Sequence, residues 1–165
     1  MMLFYLIASI LAASATFAAR NERQIAAAGA AFYAVQAVFV LCIFAGGLYG
    51  TDSLGVFSFD AAGTLFHILL VVVSAFAFAH SEAYLHGSDL RQTRTYSALL
   101  MLLTTAISGA YFASNLAVTW IFLEATTLCS AGIIYHRRTA QTLEAAWKYV
   151  FVCSTGIAMA YLGIL

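Results

Sequence analysis

The chain has 165 residues, of which 64% are hydrophobic and only 14 are charged, seven of each sign. Soluble domains carry roughly 25% charged residues, so the fraction of 8% found here excludes an ordinary soluble protein and predicts a membrane protein. A net charge of zero also excludes a nucleic-acid binder that relies on a basic surface to neutralise phosphates.

The charged residues divide the chain into apolar stretches, and a membrane helix needs about 20 mostly apolar residues. Two uncharged stretches precede a polar segment that holds Asp52 and Asp60, and a third follows it. Residues 95–135 carry one charge, Glu124, over roughly twice the length of one crossing, which predicts a hairpin near Ser114. The expected fold is an all-α polytopic transmembrane helix bundle, a single transmembrane domain of six spans. These spans lie at about residues 1–19, 25–49, 61–81, 95–113, 116–135 and 143–165.

The basic residues lie in only one set of loops. Loops one, three and five hold Arg20, Arg23, Arg91, Arg94, Arg137 and Arg138, whereas loops two and four hold no Lys or Arg. Because basic residues near span ends mark the cytoplasmic side, both termini are expected to face outward. The expected localisation is the inner (cytoplasmic) membrane, with multiple passes.

The first span also has one feature of a cleavable signal peptide, since it ends in small residues such as Ala18 and Ala19. It lacks the positively charged segment that precedes the apolar run of a signal peptide, and its basic residues follow that run instead. We therefore expect it to be a membrane span.

Glu124 is the clearest ionisable residue within a span. Helical rise places it roughly 14 Å from Asn115 and 20 Å from Arg137, too deep for a glutamate to reach either interface. Such a charge costs at least about 2.5 to 3.5 kcal/mol, so it is a functional candidate by default. The structural alternative is a glutamate that joins helices by hydrogen bonding, with Thr127 on the same face as a supporting residue.

Lys148 is the one lysine of the chain and lies roughly 8 Å inside the last predicted span. Glu144 lies four residues earlier on the same helix face, in the favourable order for an ion pair. Lys148 can therefore extend to the interface and pair with Glu144, or it can be a buried ammonium whose charge acts on neighbouring titratable groups.

The histidines give weaker signals. His67 lies inside span three, either as a core histidine or as a supporting proton relay. His80 and His136 lie at similar depth, but both are near the boundary, which disfavours haem ligation. The spacing of His80, Glu82 and His86 matches no metal-ligand motif, so no metal and no cofactor are expected.

Two stretches carry a family resemblance. Residues 115–130 include Glu124-Ala-Thr-Thr-Leu, and residues 143–156 include Leu143-Glu-Ala-Ala-Trp-Lys148-Tyr. Together they resemble the antiporter-like proton-translocating subunits of respiratory complex I, membrane-bound hydrogenases and multisubunit cation/proton antiporters. The resemblance is to component F of the hydrogenase-4 type in particular, and it covers residues 61–165.

The resemblance implies a function. In that family a membrane-embedded glutamate of the fifth helix and a lysine of the sixth belong to a chain of titratable residues that carries protons. The matching residues are Glu124 and Lys148. The implied role is a non-redox, proton-translocating subunit of a complex I-like NADH:quinone oxidoreductase or a membrane-bound hydrogenase. Its partners are other membrane subunits and the lipid bilayer, and its cargo is protons or, alternatively, sodium ions.

The chain departs from the family pattern in length. Such subunits have roughly fourteen helices in two inverted repeats with broken helices at midplane. The chain is therefore expected to be the front portion of such a subunit, truncated or split. The alternative function is a non-conducting membrane scaffold or assembly subunit, for which packing changes at Ser130 or Gly156 would disturb assembly.

Overall fold

The structure is a computed structural model, and it describes residues 2–46, 50–51, 55–85, 87 and 89–164. Within these residues the fold is all-helical, as predicted. The six helices are α1 Met2–Ala18, α2 Glu22–Gly46, α3 Ala61–Tyr84, α4 Leu90–Phe112, α5 Leu116–Ile134 and α6 Ala140–Ile164. A short 3-10 helix at Tyr135–Arg137 joins α5 to α6. Predictions on Met1, residues 47–49, Asp52, His86 and Leu165 fall outside the described residues.

Five of these helices, α2 to α6, are long and apolar enough to cross a membrane. Helix α1 is a shorter apolar helix of 17 residues, at the lower limit of what a crossing requires. The protein is therefore a multi-pass membrane protein, and each of the six helices in the described residues overlaps one of the six predicted spans.

Several helices begin or end beyond the predicted spans. Helix α4 starts at Leu90 rather than near residue 95, and α6 starts at Ala140 rather than near residue 143. Charged residues mark where the hydrocarbon layer ends, whereas backbone hydrogen bonding continues the helix into the polar region. The helices therefore extend beyond the predicted spans at these ends, and the span bounds themselves stay predictions.

The predicted hairpin near Ser114 is confirmed. Helix α4 ends at Phe112 and α5 begins at Leu116, and the Asn115 side chain caps α5 by accepting a hydrogen bond from the Ala117 amide at 2.9 Å. Two short antiparallel strands, β1 (Gly50–Thr51) and β2 (Ser58–Phe59), were not predicted. The chain just before β2 packs under the hairpin, where the Ser114 amide donates to the Val56 carbonyl at 3.0 Å.

Helix α4 lies at the centre of the bundle. It packs against α1, α2, α3 and α5, and nearly half of its residues are buried. Helix α6 lies at the edge: within the described chain it packs mainly on α5 and on the turn that precedes it. One apolar cluster joins the helix ends near β2, namely Met2, Tyr5, Phe39, Ile43, Phe57, Phe59 and Phe112. A second cluster lies towards the other end, namely Ala13, Phe32, Phe78, Leu100 and Met101.

Candidate functional site

Glu124 lies in the middle of α5, eight residues after its first residue and ten before its last, or roughly 12 and 15 Å by helical rise. Its side chain is half-buried between α5 and α6. The Ser154 hydroxyl of α6 donates a hydrogen bond of 2.5 Å to Glu124 Oε1. Among the residues that the structure describes, no basic side chain forms a salt bridge with this carboxyl group. The nearest polar partner of the glutamate is thus a neutral hydroxyl on the neighbouring helix.

Thr127 is buried, but it is not the partner of Glu124 that the sequence suggested. Its hydroxyl donates to the Leu123 carbonyl at 3.2 Å. A threonine within a helix commonly bonds to the carbonyl four residues earlier, which leaves its donor unavailable to other groups. In the structure Ser154, and not Thr127, forms the hydrogen bond with Glu124, and a supporting role of Thr127 stays a prediction.

Lys148 and Glu144 form an ion pair on the outer face of α6. Lys148 Nζ lies 2.5 Å from Glu144 Oε1, and the two side chains are 74% and 66% exposed. The pair expected from the sequence spacing is present. The exposed aromatic side chains Trp147 and Phe151 lie on the same helix, so the pair belongs to a face of α6 that no described part of the chain covers.

The structure does not bring Lys148 to Glu124. Lys148 precedes Ser154 by six residues, which is about 9 Å along the axis and about 120° around it. Ser154 faces α5, and Lys148 therefore points away from that interface. The four residues form two separate pairs, Glu124 with Ser154 and Glu144 with Lys148.

His67 lies in a different part of the bundle from Glu124. It is completely buried on α3, which packs against α2 and α4. The rings of Phe39 and Phe112 each have their centroids 5.5 Å from the His67 ring, and the Tyr5 ring lies 5.9 Å away. His67 is thus a core histidine by position, enclosed by aromatic rings.

The arginine-bearing end of the bundle holds a further aromatic contact. Arg137 Nη2 donates to the Tyr84 hydroxyl at 3.0 Å, and its guanidinium lies 5.4 Å from the centre of the Tyr84 ring. The His136 ring packs against Tyr84 and Tyr96, and its Nδ1 lies 2.7 Å from the Ile133 carbonyl oxygen. These contacts fix the turn after α5 against the ends of α3 and α4.

Ser154 and Gln36 are among the polar helix residues to which the sequence analysis gave no role. Ser154 lies in the stretch 143–156 that carries the resemblance, but the sequence does not show how two helices align and so could not pair it with Glu124. Gln36 is fully buried about 21 Å from the first residue of α2, and as an uncharged side chain it was not found by sorting charges by depth. A search for buried amides at mid-span positions would have found it.

No protein family model and no solved structure matches the chain. Two curated proteins do. Over 70 residues the chain is 31% identical to the hydrogenase-4 component F homolog of Methylacidiphilum infernorum, an alignment that covers 42% of this chain and 15% of that protein. Over 150 residues it is 25% identical to NADH-quinone oxidoreductase subunit N of Acinetobacter baumannii, covering 88% of this chain and 29% of that protein.

The chain therefore spans less than a third of the length of either relative. The resemblance stated from the two motifs is confirmed, since one relative is named as a hydrogenase-4 component and the other as a subunit of NADH-quinone oxidoreductase.

Proposed function

We propose that this chain forms part of a proton-translocating membrane subunit in a complex I-like NADH:quinone oxidoreductase or a membrane-bound hydrogenase. It contributes no redox centre and has other membrane subunits as partners. The two relatives support the kind of complex. The observation that carries the proposal is the half-buried carboxyl group of Glu124 in the middle of a membrane helix.

Glu124 is suited to hold a proton in transit. A carboxyl group between two membrane helices can exist as the acid or as the carboxylate, and Ser154 can donate to Oε1 in either form. A unit positive charge arriving about 4 Å away changes the relative free energy of the two forms by roughly 4 kcal/mol at an effective dielectric constant of 20. That change alters the ratio of the acid to the carboxylate by about three orders of magnitude, which is sufficient for the group to take up and release a proton.

Lys148 supplies a positive charge on the neighbouring helix, on the side of α6 that faces away from Glu124. In the proposed mechanism a partner subunit covers the outer face of α6 and removes water from the Glu144–Lys148 pair. Loss of water strengthens or breaks such a pair depending on the groups that the partner provides. The movement of the lysine charge is then the signal to which Glu124 responds.

A scaffold role is the second candidate, and the Glu124–Ser154 hydrogen bond is the observation that favours it. This bond connects α5 to α6 in the low-dielectric interior, where a charge-assisted hydrogen bond is strong. Under this alternative the carboxyl group serves packing, and the chain does not conduct protons.

Glu124→Gln separates the two candidates. Glutamine keeps the Oε1 acceptor for the Ser154 hydroxyl but cannot release or bind a proton at neutral pH. In membrane vesicles that contain the assembled complex, we expect the variant to assemble normally and to lose acidification of the vesicle interior when the electron donor is added. Asp89→Asn is the matched control, because Asp89 is exposed at the start of α4 and its side chain makes no capping hydrogen bond. Normal acidification by Glu124→Gln would refute the proton-carrying role and leave the scaffold.

The orientation is a further part of the proposal. The six arginines of loops one, three and five support placing these loops in the cytoplasm and both termini outside. The test is a fusion of alkaline phosphatase after residue 164, because this enzyme is active only outside the cytoplasm. If the C-terminal end of α6 lies outside, the fusion should be active. An inactive phosphatase together with a fluorescent cytoplasmic reporter at the same position would reverse the orientation.

A further inference from the structure

Five polar residues from four helices meet at a buried position away from Glu124. We name them the α1–α4 polar cluster: Tyr5 and Ser9 of α1, Gln36 of α2, His67 of α3 and Ser108 of α4. Tyr5 is 4% exposed and the other four have no exposed surface. Five buried polar side chains at one place in a membrane bundle require an explanation, because each is expensive to bury without hydrogen bonds.

Tyr5 connects the members of the cluster. Its hydroxyl donates to Gln36 Oε1 at 2.7 Å, and the hydroxyls of Ser9 and Ser108 lie beside it. The edge of its ring faces His67, with 5.9 Å between ring centroids. From the other helices His67 is faced by Phe39 of α2 and Phe112 of α4. No charged side chain of the described residues is among these contacts of the imidazole.

Most polar atoms of the cluster have no protein partner. Within the described part of the chain, Ser9 Oγ, Gln36 Nε2 and both ring nitrogens of His67 are buried and form no hydrogen bond to protein. Buried polar groups are paired in the great majority of cases, with protein atoms or with internal water. Water satisfies donors and acceptors together, which matches a set that contains an amide donor, a hydroxyl and an imidazole.

A line of buried hydroxyls leads from the cluster to the arginine-bearing end. Ser97, Thr104 and Ser108 lie on one face of α4, spaced by seven and four residues, and each is at most 2% exposed. Ser97 also lines a cleft of about 320 Å³ whose other polar lining includes Arg23 and Thr93. Ser97 and Ser108 are about 16 Å apart along the helix axis. We call this line of hydroxyls the α4 seam.

We propose that the α1–α4 polar cluster is a water-binding site, that water reaches it from the cleft along the α4 seam, and that His67 exchanges its proton through this water. In deuterium oxide, bound water donates a deuteron to the unprotonated ring nitrogen while the N–H proton of the other nitrogen leaves to water. The net change replaces one N–H by one N–D. The proposal does not depend on proton transport through Glu124.

The test uses the full chain, labelled with nitrogen-15 histidine and embedded in phosphatidylcholine and phosphatidylglycerol nanodiscs. The His67 signal is the one that remains when His80, His86 and His136 are replaced by glutamine. We expect solid-state NMR to show magnetisation transfer between His67 and water, and the ring N–H to exchange in deuterium oxide within minutes. A ring that shows no transfer from water and keeps its proton for days overturns the proposal.

Thr104→Val tests the route along the seam. Valine keeps the shape of threonine but removes the hydroxyl, which donates to the Leu100 carbonyl at 2.9 Å and keeps its lone pairs free to accept a hydrogen bond from water. The matched control is Thr119→Val on α5, whose hydroxyl makes the equivalent bond to the Asn115 carbonyl at 3.1 Å. We expect the ring N–H of His67 to exchange about tenfold more slowly in Thr104→Val, because water in the seam loses one hydrogen bond and one net hydrogen bond corresponds to about that factor. The exchange rate should stay unchanged in Thr119→Val. Equal rates in the two variants would overturn the route.

Discussion

Gly109→Ala is expected to weaken the contact between α4 and α5. The α-carbon of Gly109 faces the Phe122 ring so closely that an added β-carbon would overlap three ring atoms. The Phe122 ring also contacts Phe57, with 6.0 Å between ring centroids, so a movement away from Gly109 would disturb a second aromatic contact. Overpacking of this kind costs about 1–3 kcal/mol, and removal of a helical glycine returns at most about 1 kcal/mol. We expect a net loss of about 1–2 kcal/mol, or roughly a 5- to 30-fold decrease in the ratio of folded to unfolded protein.

Gly156→Ala is the matched control for this prediction. Gly156 lies on α6, and a β-carbon there would meet no atom within 4 Å. Its free energy of unfolding should stay the same or rise by up to about 1 kcal/mol, the usual helix-propensity gain. Both values are measurable by titrating the purified chain in mild detergent with sodium dodecyl sulfate and following helicity by far-UV circular dichroism. If Gly109→Ala is as stable as Gly156→Ala, the described contact between α4 and α5 is incorrect.

Three further predictions use the same unfolding measurement. Tyr33→Phe removes the hydrogen bond of 2.7 Å from the Tyr33 hydroxyl to the Ser74 carbonyl and should destabilise the chain by about 1 kcal/mol, and an unchanged value would argue against this link between α2 and α3. Lys148→Ala should change stability by less than about 0.5 kcal/mol because its pair with Glu144 joins residues four apart on one helix, and a loss several times larger would mean that Lys148 also holds α6 to another part of the chain. Arg138→Gly should stabilise the chain by up to about 1 kcal/mol, since Arg138 has a left-handed backbone with φ of 52°, and a destabilised variant would contradict that conformation.

The helices were largely predictable because the bilayer imposes a one-dimensional rule. Charges are expensive inside the hydrocarbon, so their positions along the chain mark the edges of spans, and a single charge in the 41 residues before His136 predicted the hairpin that Asn115 caps. The same rule does not predict where the backbone hydrogen bonds of each helix begin and end. Helix α4 therefore begins at Leu90, before its arginines, although the span was predicted to begin after them.

The partners of the candidate residues were less predictable. The Glu144–Lys148 pair follows from the spacing of four residues within one helix, which the sequence states directly. The Glu124–Ser154 contact depends on how α5 and α6 align, which is decided by side-chain packing across the whole interface. The α1–α4 polar cluster has the same origin, since His67 and Gln36 come together only when α2 and α3 pack against α1 and α4.

The proposed role of Glu124 is tested most directly by the number of protons translocated per pair of electrons. In vesicles that contain the assembled complex, this ratio is measured for the unaltered protein, for Glu124→Gln and for the control Asp89→Asn, alongside the electron-transfer rate in the presence of an uncoupler. We predict that Glu124→Gln lowers the ratio, that its uncoupled electron-transfer rate is unchanged, and that Asp89→Asn matches the unaltered protein in both. A ratio in Glu124→Gln equal to that of the unaltered protein would contradict the claim that this carboxyl group carries protons.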